Sequence, residues 1–554
     1  MAELSEEIRR EVGQHFVFGF HGHEITEDIR VLITEFYVGN VILMKRNVRD
    51  IAQLHALVYS LQQLAKDAGH TRPLMIGTDQ ENGLVSAFSS PACGTQFPGA
   101  MALAATGSVD IADKVSGASA MEMRAAGINW AYSPVADVNS DPRNPVIGVR
   151  SFGDDPEKVS RFVNAVSKGL ARHKVAPSAK HFPGHGNTHV DSHLSLPRIM
   201  QTSEALAATE LVPFQSLIDN GIATIMTGHM ALPLITGADT PCSLSRMITT
   251  DLLRDQMGFA GVIVTDCLEM EAVAEIYGSE GGAVLALQAG ADVVMICHTL
   301  QRQRGAVEHT YAAIAKGDLS TERLLESGKR IAALKDAFAG TWDDVLAPPL
   351  DLGAWSMLKN ANAALSRQAY AQSMTLVRDP SGVLPLRADV GAVMVFTPVM
   401  ESINLAVDDA EGVLRDAVGR LRNTAGPAYT AFAAAMTKRA TVHHAIYSPD
   451  TMVSPSTQEY LAGAAAVVFA TRNGYEKGSW QIECLKRVIA RAGPEKPVVL
   501  VSTCAPYDVL DLNLEGLVAV LATMEFTIPA LETAVETIFG AIQARGTVPV
   551  QVGQ

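Results

Sequence analysis

The sequence predicts an α/β fold with an N-terminal (β/α)8 TIM-like barrel followed by a smaller αβα sandwich domain. Up to about residue 340, eight short apolar runs alternate with amphipathic stretches whose apolar residues recur three and four positions apart. Buried parallel strands that are each followed by a surface helix produce this pattern. A doubly wound sheet gives a similar alternation, but rarely eight units in a row. After residue 340 the alternation begins again with five further runs.

The barrel strands are predicted from runs of five to ten residues that are rich in Val, Ile, Phe and Met. In chain order the runs are "FVFGF", "NVILM", "LMIGTD", "INWAYSPVAD", "VAPSAKHF", "ATIMTGHM", "GVIVTD" and "ADVVMIC". Helical stretches such as "VRDIAQLHALVYSLQQLAKDAG" and "DPEKVSRFVNAVSKGLARH" separate them. The first residues, "MAELSEEIRREVGQHF", predict a charged amphipathic helix.

A boundary between two domains is predicted at "GTWDDVLAPPLDLGAW", where proline and tryptophan interrupt the alternation. We therefore assign residues 1–340 to the barrel, 341–360 to a linker and 361–554 to the sandwich. The strand-like runs of the second domain are "VGAVMVFTP", "TVHHAIYS", "AAVVFATRN", "KPVVLVST" and "LVAVLATM". Helical segments separate them, so a mainly parallel sheet is expected.

Composition limits the partners and the compartment that we expect. The 554 residues carry a net charge of -15 and no basic run, which disfavours a nucleic-acid partner. No apolar stretch of membrane-spanning length occurs, and the amino terminus lacks the pattern of a secretion signal. The six cysteines are scattered without a C-x-x-C pair, and no N-x-[ST] glycosylation acceptor is present. These features predict a cytoplasmic protein without a membrane partner.

Titratable side chains follow several of the predicted barrel strands. Because active sites of this fold lie where strands end and βα loops begin, these side chains are expected to share one face. They are Asp79, Asp137, Arg150, Lys180, His181, His229 and Asp266.

Asp266 follows the buried run "GVIVT" and is a candidate nucleophile. With Lys180 and Arg150 expected near the same rim, its carboxylate should stay ionised. The alternative is that Asp266 caps the helix that follows, since aspartate is common at such turns.

The stretch "KHFPGHGNTHVDSHLSLP", residues 180–197, contains four of the chain's 15 histidines. Asp191 and His193 lie two apart, so in an extended segment they point the same way. A carboxylate beside an imidazole fixes its tautomer and raises its pKa, which suits proton transfer near neutral pH. Zinc is disfavoured because no cysteine lies near and no H-E-x-x-H helix occurs. A loop that is packed by its own side chains remains the structural alternative.

The strings "KHFPGHGNTHVDSH", "DQEN", "NPVIGVRSFG" and "VIVTDCLEM" closely resemble the β-N-acetylglucosaminidases of glycoside hydrolase family 3. The resemblance covers the barrel and extends to the second domain. It implies a retaining double displacement without a cofactor or metal. In that reaction Asp266 would be the nucleophile, His193 the general acid/base and Asp191 its partner. The resemblance also implies sugar-binding roles for the following residues: Asp79, Arg150, Lys180 and His181.

One position departs from the family pattern D-Q-E-G-G-x-V-x-R. The final arginine, which contacts the sugar in relatives, is replaced by Ala87 here. This leaves the substrate preference open. A second open question is whether the second domain contributes to the site, for which the loop with Arg472 and Asn473 is the candidate.

Three functions are compatible with these features. The first is an exo-β-N-acetylglucosaminidase that removes terminal β-linked N-acetylglucosamine from chito-oligosaccharides, glycoconjugate fragments or muropeptides. The second is a β-N-acetylglucosaminide or β-glucoside phosphorylase on the same scaffold, because a histidine acid/base carries no negative charge to repel phosphate. The third is a non-catalytic sugar-binding protein. The joint presence of Asp266, Asp191 and His193 argues against it, since binding requires no nucleophile.

Overall fold

The computed structural model describes residues 4–89, 93–188, 192, 195–346, 350–387, 389–399, 425–449 and 455–551. Its first part is a closed barrel of eight parallel strands, in the ring order β1-β10-β9-β8-β7-β6-β3-β2. The barrel strands are β1 (Phe16–Phe18), β2 (Asn40–Leu43), β3 (Met75–Thr78), β6 (Trp130–Ala131), β7 (Ala176–Phe182), β8 (Thr224–Thr227), β9 (Val262–Cys267) and β10 (Val293–Ile296). Seven of them lie within the predicted runs and β9 extends one residue beyond its run, to Cys267, so the predicted barrel is confirmed.

The helices of the first part surround the barrel. They are α1 (Glu6–Gln14), α2 (Glu27–Thr34), α3 (Ile51–Asp67), α4 (Ala100–Ala105), α5 (Val109–Ala125), α6 (Pro156–Arg172), α7 (Ser203–Ala208), α8 (Leu211–Asp219), α9 (Pro233–Thr236), α10 (Glu271–Ala289), α11 (Leu300–Lys316) and α12 (Thr321–Phe338). Between β8 and β9 the chain forms a π-helix, Met247–Gln256. Side chains cap the first turns of several of these helices. At the start of α6, for example, Asp155 accepts hydrogen bonds from the amides of Glu157 and Lys158.

The barrel interior is filled by alternate strand residues, as the period of two requires. Val17, Met75, Trp130, Val264 and Met295 form one buried cluster inside the ring. The other strand residues pack outward against the helices in a larger cluster. Since the ring is solid, only the loops at the strand ends are available to form a site.

Polar residues after β3 form a small antiparallel hairpin of β4 (Gln80–Asn82) and β5 (Val85–Ser86). The Ala87 amide then donates to the Asp79 carbonyl at 2.9 Å. The sequence did not predict this hairpin, because its strands are short and polar. It holds Asp79 and Glu81 at the end of the barrel where β3 finishes.

The second part is a six-stranded sheet in the order β11-β16-β15-β14-β12-β13. Its strands are β11 (Thr375–Arg378), β12 (Ala392–Pro398), β13 (Thr441–Tyr447), β14 (Ala466–Arg472), β15 (Val498–Thr503) and β16 (Val518–Ala522). Helices α15 (Gly426–Thr437), α16 (Pro455–Gly463), α17 (Trp480–Ala492) and α18 (Ile528–Ile538) accompany the sheet. The strands are parallel except β11, which pairs with β16 in the antiparallel direction. The predicted mainly parallel sandwich is confirmed, and β11 is an edge strand that was not predicted.

The predicted linker is largely helical in the residues described. Helix α13 (Trp342–Val345) is followed by α14 (Leu352–Ser373), whose first turn is capped by Asp351. Within α14, Asn362 donates to Glu122 of α5 at 2.8 Å, so the helix packs on the barrel. The division at residues 340 and 361 therefore stays a prediction.

Several hydrogen bonds join the domains on the side of the barrel loops, including one from the Gln551 amide to Asp154 Oδ2 at 2.6 Å. The Gly99 amide donates to Glu525 at 2.7 Å, and Asn139 Nδ2 donates to the Tyr507 hydroxyl at 2.7 Å. In the described part of the chain, no helix is long and apolar enough to cross a membrane.

Candidate active site

Five of the predicted site residues lie at the carboxyl end of the barrel. Asp79 directly follows β3, Lys180 and His181 lie near the end of β7, and Asp266 is the penultimate residue of β9. Arg150 ends a short 3₁₀ turn in the connection after β6. Because all eight strands are parallel, these positions share one face, which is where barrel enzymes bind substrate.

Lys180 is the centre of a buried ion-pair network. Its Nζ lies 2.6 Å from Asp79 Oδ1 and 2.7 Å from Glu81 Oε1. Burial alone would lower the pKa of Lys180, but Asp79 and Glu81 outweigh it and raise that pKa. Lys180 therefore stays a cation, held between two carboxylates.

Glu81 joins Lys180 to Arg150. The Arg150 Nε and Nη2 atoms donate to the two Glu81 oxygens at 2.9 and 2.8 Å, a bidentate pair. Burial alone would raise the pKa of Glu81, but Arg150 and then Lys180 lower it to about 2. We did not predict a role for Glu81. The available signal was its spacing of two from Asp79, which places both carboxylates on the same side of an extended segment.

His181 is oriented by Asp137, a fully buried carboxylate in the connection between β6 and α6. The His181 Nδ1 atom lies 2.7 Å from Asp137 Oδ2, and the His181 and His185 amides both donate to Oδ1. The other ring nitrogen, Nε2, lies 3.5 Å from Arg150 Nη2. Asp137 was identified only as the end of a strand, and the structure shows it as the anchor of the first residues of the histidine stretch.

The described part of the histidine stretch is held by a network of hydrogen bonds. Asn144 Nδ2 donates to the carbonyls of His185 and Gly186 at 2.8 and 3.0 Å. The His185 ring lies between two hydroxyls, with Nδ1 3.1 Å from Thr188 Oγ1 and Nε2 2.9 Å from Ser192 Oγ. Burial lowers the pKa of His185 to about 4, so the ring is neutral at physiological pH. His185 thus acts as a neutral bridge across the loop.

Asp191 and His193, the predicted acid/base pair, lie outside the described residues, as does His189. Ser192, which stands between the pair in sequence, is buried and bonded to His185. The roles of Asp191 and His193 stay predictions.

Asp266 is half-buried, unlike the fully buried Lys180 and Arg150. Its Oδ1 accepts a hydrogen bond from the amide of Cys267 at 2.7 Å. Behind it, the buried ring of His229 contacts Ser243 Oγ at 2.8 Å and the Cys267 carbonyl at 3.0 Å. The Asp266 carboxylate is thus held by a backbone hydrogen bond and remains accessible to a ligand at the carboxyl end of the barrel.

Two further positions were open from the sequence. Ala87 is buried directly after the β4–β5 hairpin and brings no charge to the site. In the second domain, the Arg472 guanidinium lies 4.1 Å from the Phe526 ring centroid, and Asn473 Oδ1 accepts from the Ala505 amide. These contacts of Arg472 and Asn473 lie within their own domain, whereas Tyr507 and Glu525 are among the second-domain residues that contact barrel loops.

Comparison with known proteins identifies the family. The model of the "Glycosyl hydrolase family 3 N terminal domain" matches residues 7–334. The chain is 37% identical to a fungal multi-domain GH3 β-N-acetylglucosaminidase structure over 98% of this chain and 60% of that one, with a TM-score of 0.87. It is 31% identical to a GH3 β-N-acetylglucosaminidase from Paenibacillus sp. str. FPU-7, over 99% of both chains, with a TM-score of 0.86. The β-hexosaminidase A of Pseudoalteromonas piscicida is 28% identical over 95% of this chain and 91% of its own length. The protein belongs to glycosyl hydrolase family 3 and is a glycosidase.

Proposed function

We propose that the protein is a retaining exo-β-N-acetylglucosaminidase that removes terminal non-reducing β-linked N-acetylglucosamine. The observation that carries this proposal is the ion-pair network of Asp79, Glu81, Arg150 and Lys180 at the same barrel end as the accessible carboxylate of Asp266. Relatives named β-N-acetylglucosaminidase that align over nearly the whole chain support the substrate class.

The network is suited to a neutral, hydroxyl-rich ligand. Its two cations, Arg150 and Lys180, are balanced by its two anions, Asp79 and Glu81. The Asp79 side chain is 30% exposed, whereas the Lys180 side chain is 3% exposed. Asp79 is therefore the network member that a sugar reaches first, and a carboxylate accepts hydrogen bonds from two adjacent hydroxyls. The buried members hold it in place.

In the first step the Asp266 carboxylate attacks the anomeric carbon and forms a glycosyl ester. The glycosidic bond breaks at the same time, and its oxygen leaves with a proton from His193. In the second step His193 removes a proton from water, which attacks the anomeric carbon and releases Asp266. Two inversions give net retention. Asp191 stabilises the imidazolium form of His193 and fixes its orientation.

Phosphorolysis is the alternative second step, in which phosphate replaces water. The charges of the network balance, and Asp266, at the same end of the barrel, adds a further anion when it is released. A phosphate dianion would approach a site without an excess of positive charge, so we favour hydrolysis. The substrates that we propose are small carbohydrates: chito-oligosaccharides, glycoconjugate fragments or muropeptides.

A screen of aryl β-glycosides tests this function. The N-acetylglucosaminide, glucoside, N-acetylgalactosaminide and xyloside are compared by kcat/KM, with and without inorganic phosphate, and the sugar product is identified. We expect the N-acetylglucosaminide to be the best substrate and free N-acetylglucosamine to be the product in both conditions. A sugar 1-phosphate product would identify a phosphorylase. No turnover of any glycoside by folded protein would support the non-catalytic alternative.

A further inference from the structure

A second cluster of reactive side chains lies beside the active site and is not used by the proposed reaction. It comprises Cys267 at the end of β9 and Cys297 and His298 directly after β10. These two strands are neighbours in the barrel, and the register places Met295 opposite Cys267. Cys297 follows Met295 by two positions, so both cysteines lie at the same end of the ring.

The three side chains converge on one point. One ligand atom from each, two sulfurs and one imidazole nitrogen, all lie within 4.8 Å of one another. A tetrahedral zinc ion with Zn–S bonds of about 2.3 Å and Zn–N bonds of about 2.0 Å needs ligand atoms roughly 3.5 Å apart. The ligand atoms are at most 4.8 Å apart, so small side-chain rotations would meet this requirement. Among the described residues, this is the group whose geometry suits a metal ion.

The ligand set and its surroundings favour a borderline or soft dication. Two thiolates and an imidazole are typical zinc ligands, whereas magnesium and calcium prefer oxygen. The Glu269 Oε2 atom lies 4.0 Å from the Cys267 sulfur and accepts a hydrogen bond from the His298 amide at 2.6 Å, so a carboxylate lies close to two of the three ligands. The Cys297 sulfur is buried, while His298 is exposed, so the ion has an entry path from solvent.

From this geometry we propose that Cys267, Cys297 and His298 bind one zinc-class divalent cation at the rim of the active site. Arg46, in the loop after β2, contacts the His298 ring, with its Nη1 atom 3.1 Å from His298 Nδ1. A metal ion bound at Nδ1 would replace the Arg46 contact, and an ion bound at the other ring nitrogen would lie on the same ring as the Arg46 cation. The site should therefore bind more weakly than a structural four-ligand zinc site.

The position of Cys267 gives the site a functional consequence. Its amide donates to Asp266 Oδ1 at 2.7 Å, so a metal on the Cys267 sulfur lies one residue from the proposed nucleophile. We expect the bound ion to reduce glycosidase activity reversibly. This consequence rests on the proposed function, whereas the metal site itself does not.

Cobalt(II) titration of the full-length, reduced protein tests the site without measuring activity. We expect one Co²⁺ per chain, a thiolate-to-cobalt charge-transfer absorption in the near-ultraviolet, and displacement of Co²⁺ by Zn²⁺. Cys267→Ser, Cys297→Ser and His298→Ala should each weaken binding by more than about 100-fold, since even outer-shell partners of metal ligands contribute 10- to 100-fold. His298→Ala removes an exposed ring and should not disturb folding. Cys242→Ala, which removes a buried thiol elsewhere in the barrel, should bind like the unaltered protein.

Three results would overturn the metal site. The first is the absence of a charge-transfer band at millimolar Co²⁺. The second is binding that survives in both cysteine variants. The third comes from a glycosidase assay with added Zn²⁺. Inhibition of the glycosidase that dithiothreitol reverses but a chelator does not would identify Cys267 and Cys297 as an oxidisable thiol pair instead of metal ligands. If metal binds as expected but leaves glycosidase activity unchanged, the stoichiometry still supports the site and the link to Asp266 is wrong.

Discussion

Replacing Glu81 with glutamine should destabilise the barrel by about 3 kcal/mol at pH 7. The substitution keeps the shape of the side chain but leaves the buried Arg150 guanidinium without its bidentate partner. The difference between an ordinary glutamate pKa of 4.5 and a pKa of about 2 corresponds to about 3 kcal/mol. This agrees with the roughly 3–5 kcal/mol that breaking a buried ion pair costs.

The pH dependence gives this prediction its specific signature. Because the pKa of Glu81 is lowered in the folded state, its contribution is fully present above pH 4.5 and is lost as the pH falls toward 2. The difference between the unaltered protein and Glu81→Gln should therefore shrink to roughly 1 kcal/mol at pH 3. It should stay constant between pH 6 and pH 8.

Urea denaturation followed by tryptophan fluorescence measures this difference, since Trp130 is fully buried inside the barrel. The control is Asp336→Asn, which removes one carboxylate from the exposed Arg72–Asp336 pair and should change stability little at any pH. Equal stability of Glu81→Gln and the unaltered protein at pH 7, or a loss that does not depend on pH, would refute the electrostatic reasoning.

Three further predictions concern the histidine stretch. Asp137→Asn should lower kcat/KM by about 10- to 100-fold, because it replaces a carboxylate with an amide beside the His181 ring and the His185 backbone N–H. An unchanged kcat/KM would contradict the anchoring role of Asp137. His185→Ala should lower kcat by the same factor for every leaving group, and His185→Gln should recover part of the lost kcat. Burial lowers the pKa of His185 to about 4, so protonation of this ring favours the unfolded chain as the pH falls from 6.5 to 4. The alanine variant should therefore lose less free energy of unfolding over this pH range than the unaltered protein. An effect that follows leaving-group pKa would contradict this structural role. His193→Ala should lower activity by about 10²- to 10⁴-fold with poor leaving groups and far less with activated aryl glycosides, and a uniform loss would contradict its role as general acid.

The barrel strands could be predicted because both of their faces are buried. Such strands consist of nearly continuous apolar residues, which are visible in the sequence. The β4–β5 hairpin escaped because "QEN" and "VS" are short and polar. Strand β11 escaped because it is a partly exposed edge strand that directly follows the long helix α14. Helix α14 begins inside the predicted linker, where Asp351 caps its first turn. It packs against the barrel helix α5 through the hydrogen bond between Asn362 and Glu122.

The site was predictable for residues that stand at strand ends and less so for residues that hold another side chain in place. Asp79, Lys180 and Asp266 stand at strand ends, a position that sequence can identify. Glu81 and Asp137 gain their importance from contacts with residues 69 and 44 positions away, Arg150 and His181 respectively. The candidate metal ligands escaped for a similar reason. No sequence motif links Cys267 and Cys297, which meet because β9 and β10 are neighbours in the ring.

The most direct test of the proposed reaction is to trap the covalent intermediate on Asp266. A 5-fluoro-N-acetylglucosaminyl fluoride forms the glycosyl ester but slows its hydrolysis, so peptide mass spectrometry can locate the attached sugar. We expect one label per chain, on Asp266 within "GVIVTDCLEM", and none in the Asp266→Ala variant. A label on a different residue would contradict the assignment of Asp266. Tight inhibition by a thiazoline without any label would show that the substrate's own acetamido group is the nucleophile, and double displacement through Asp266 would be wrong.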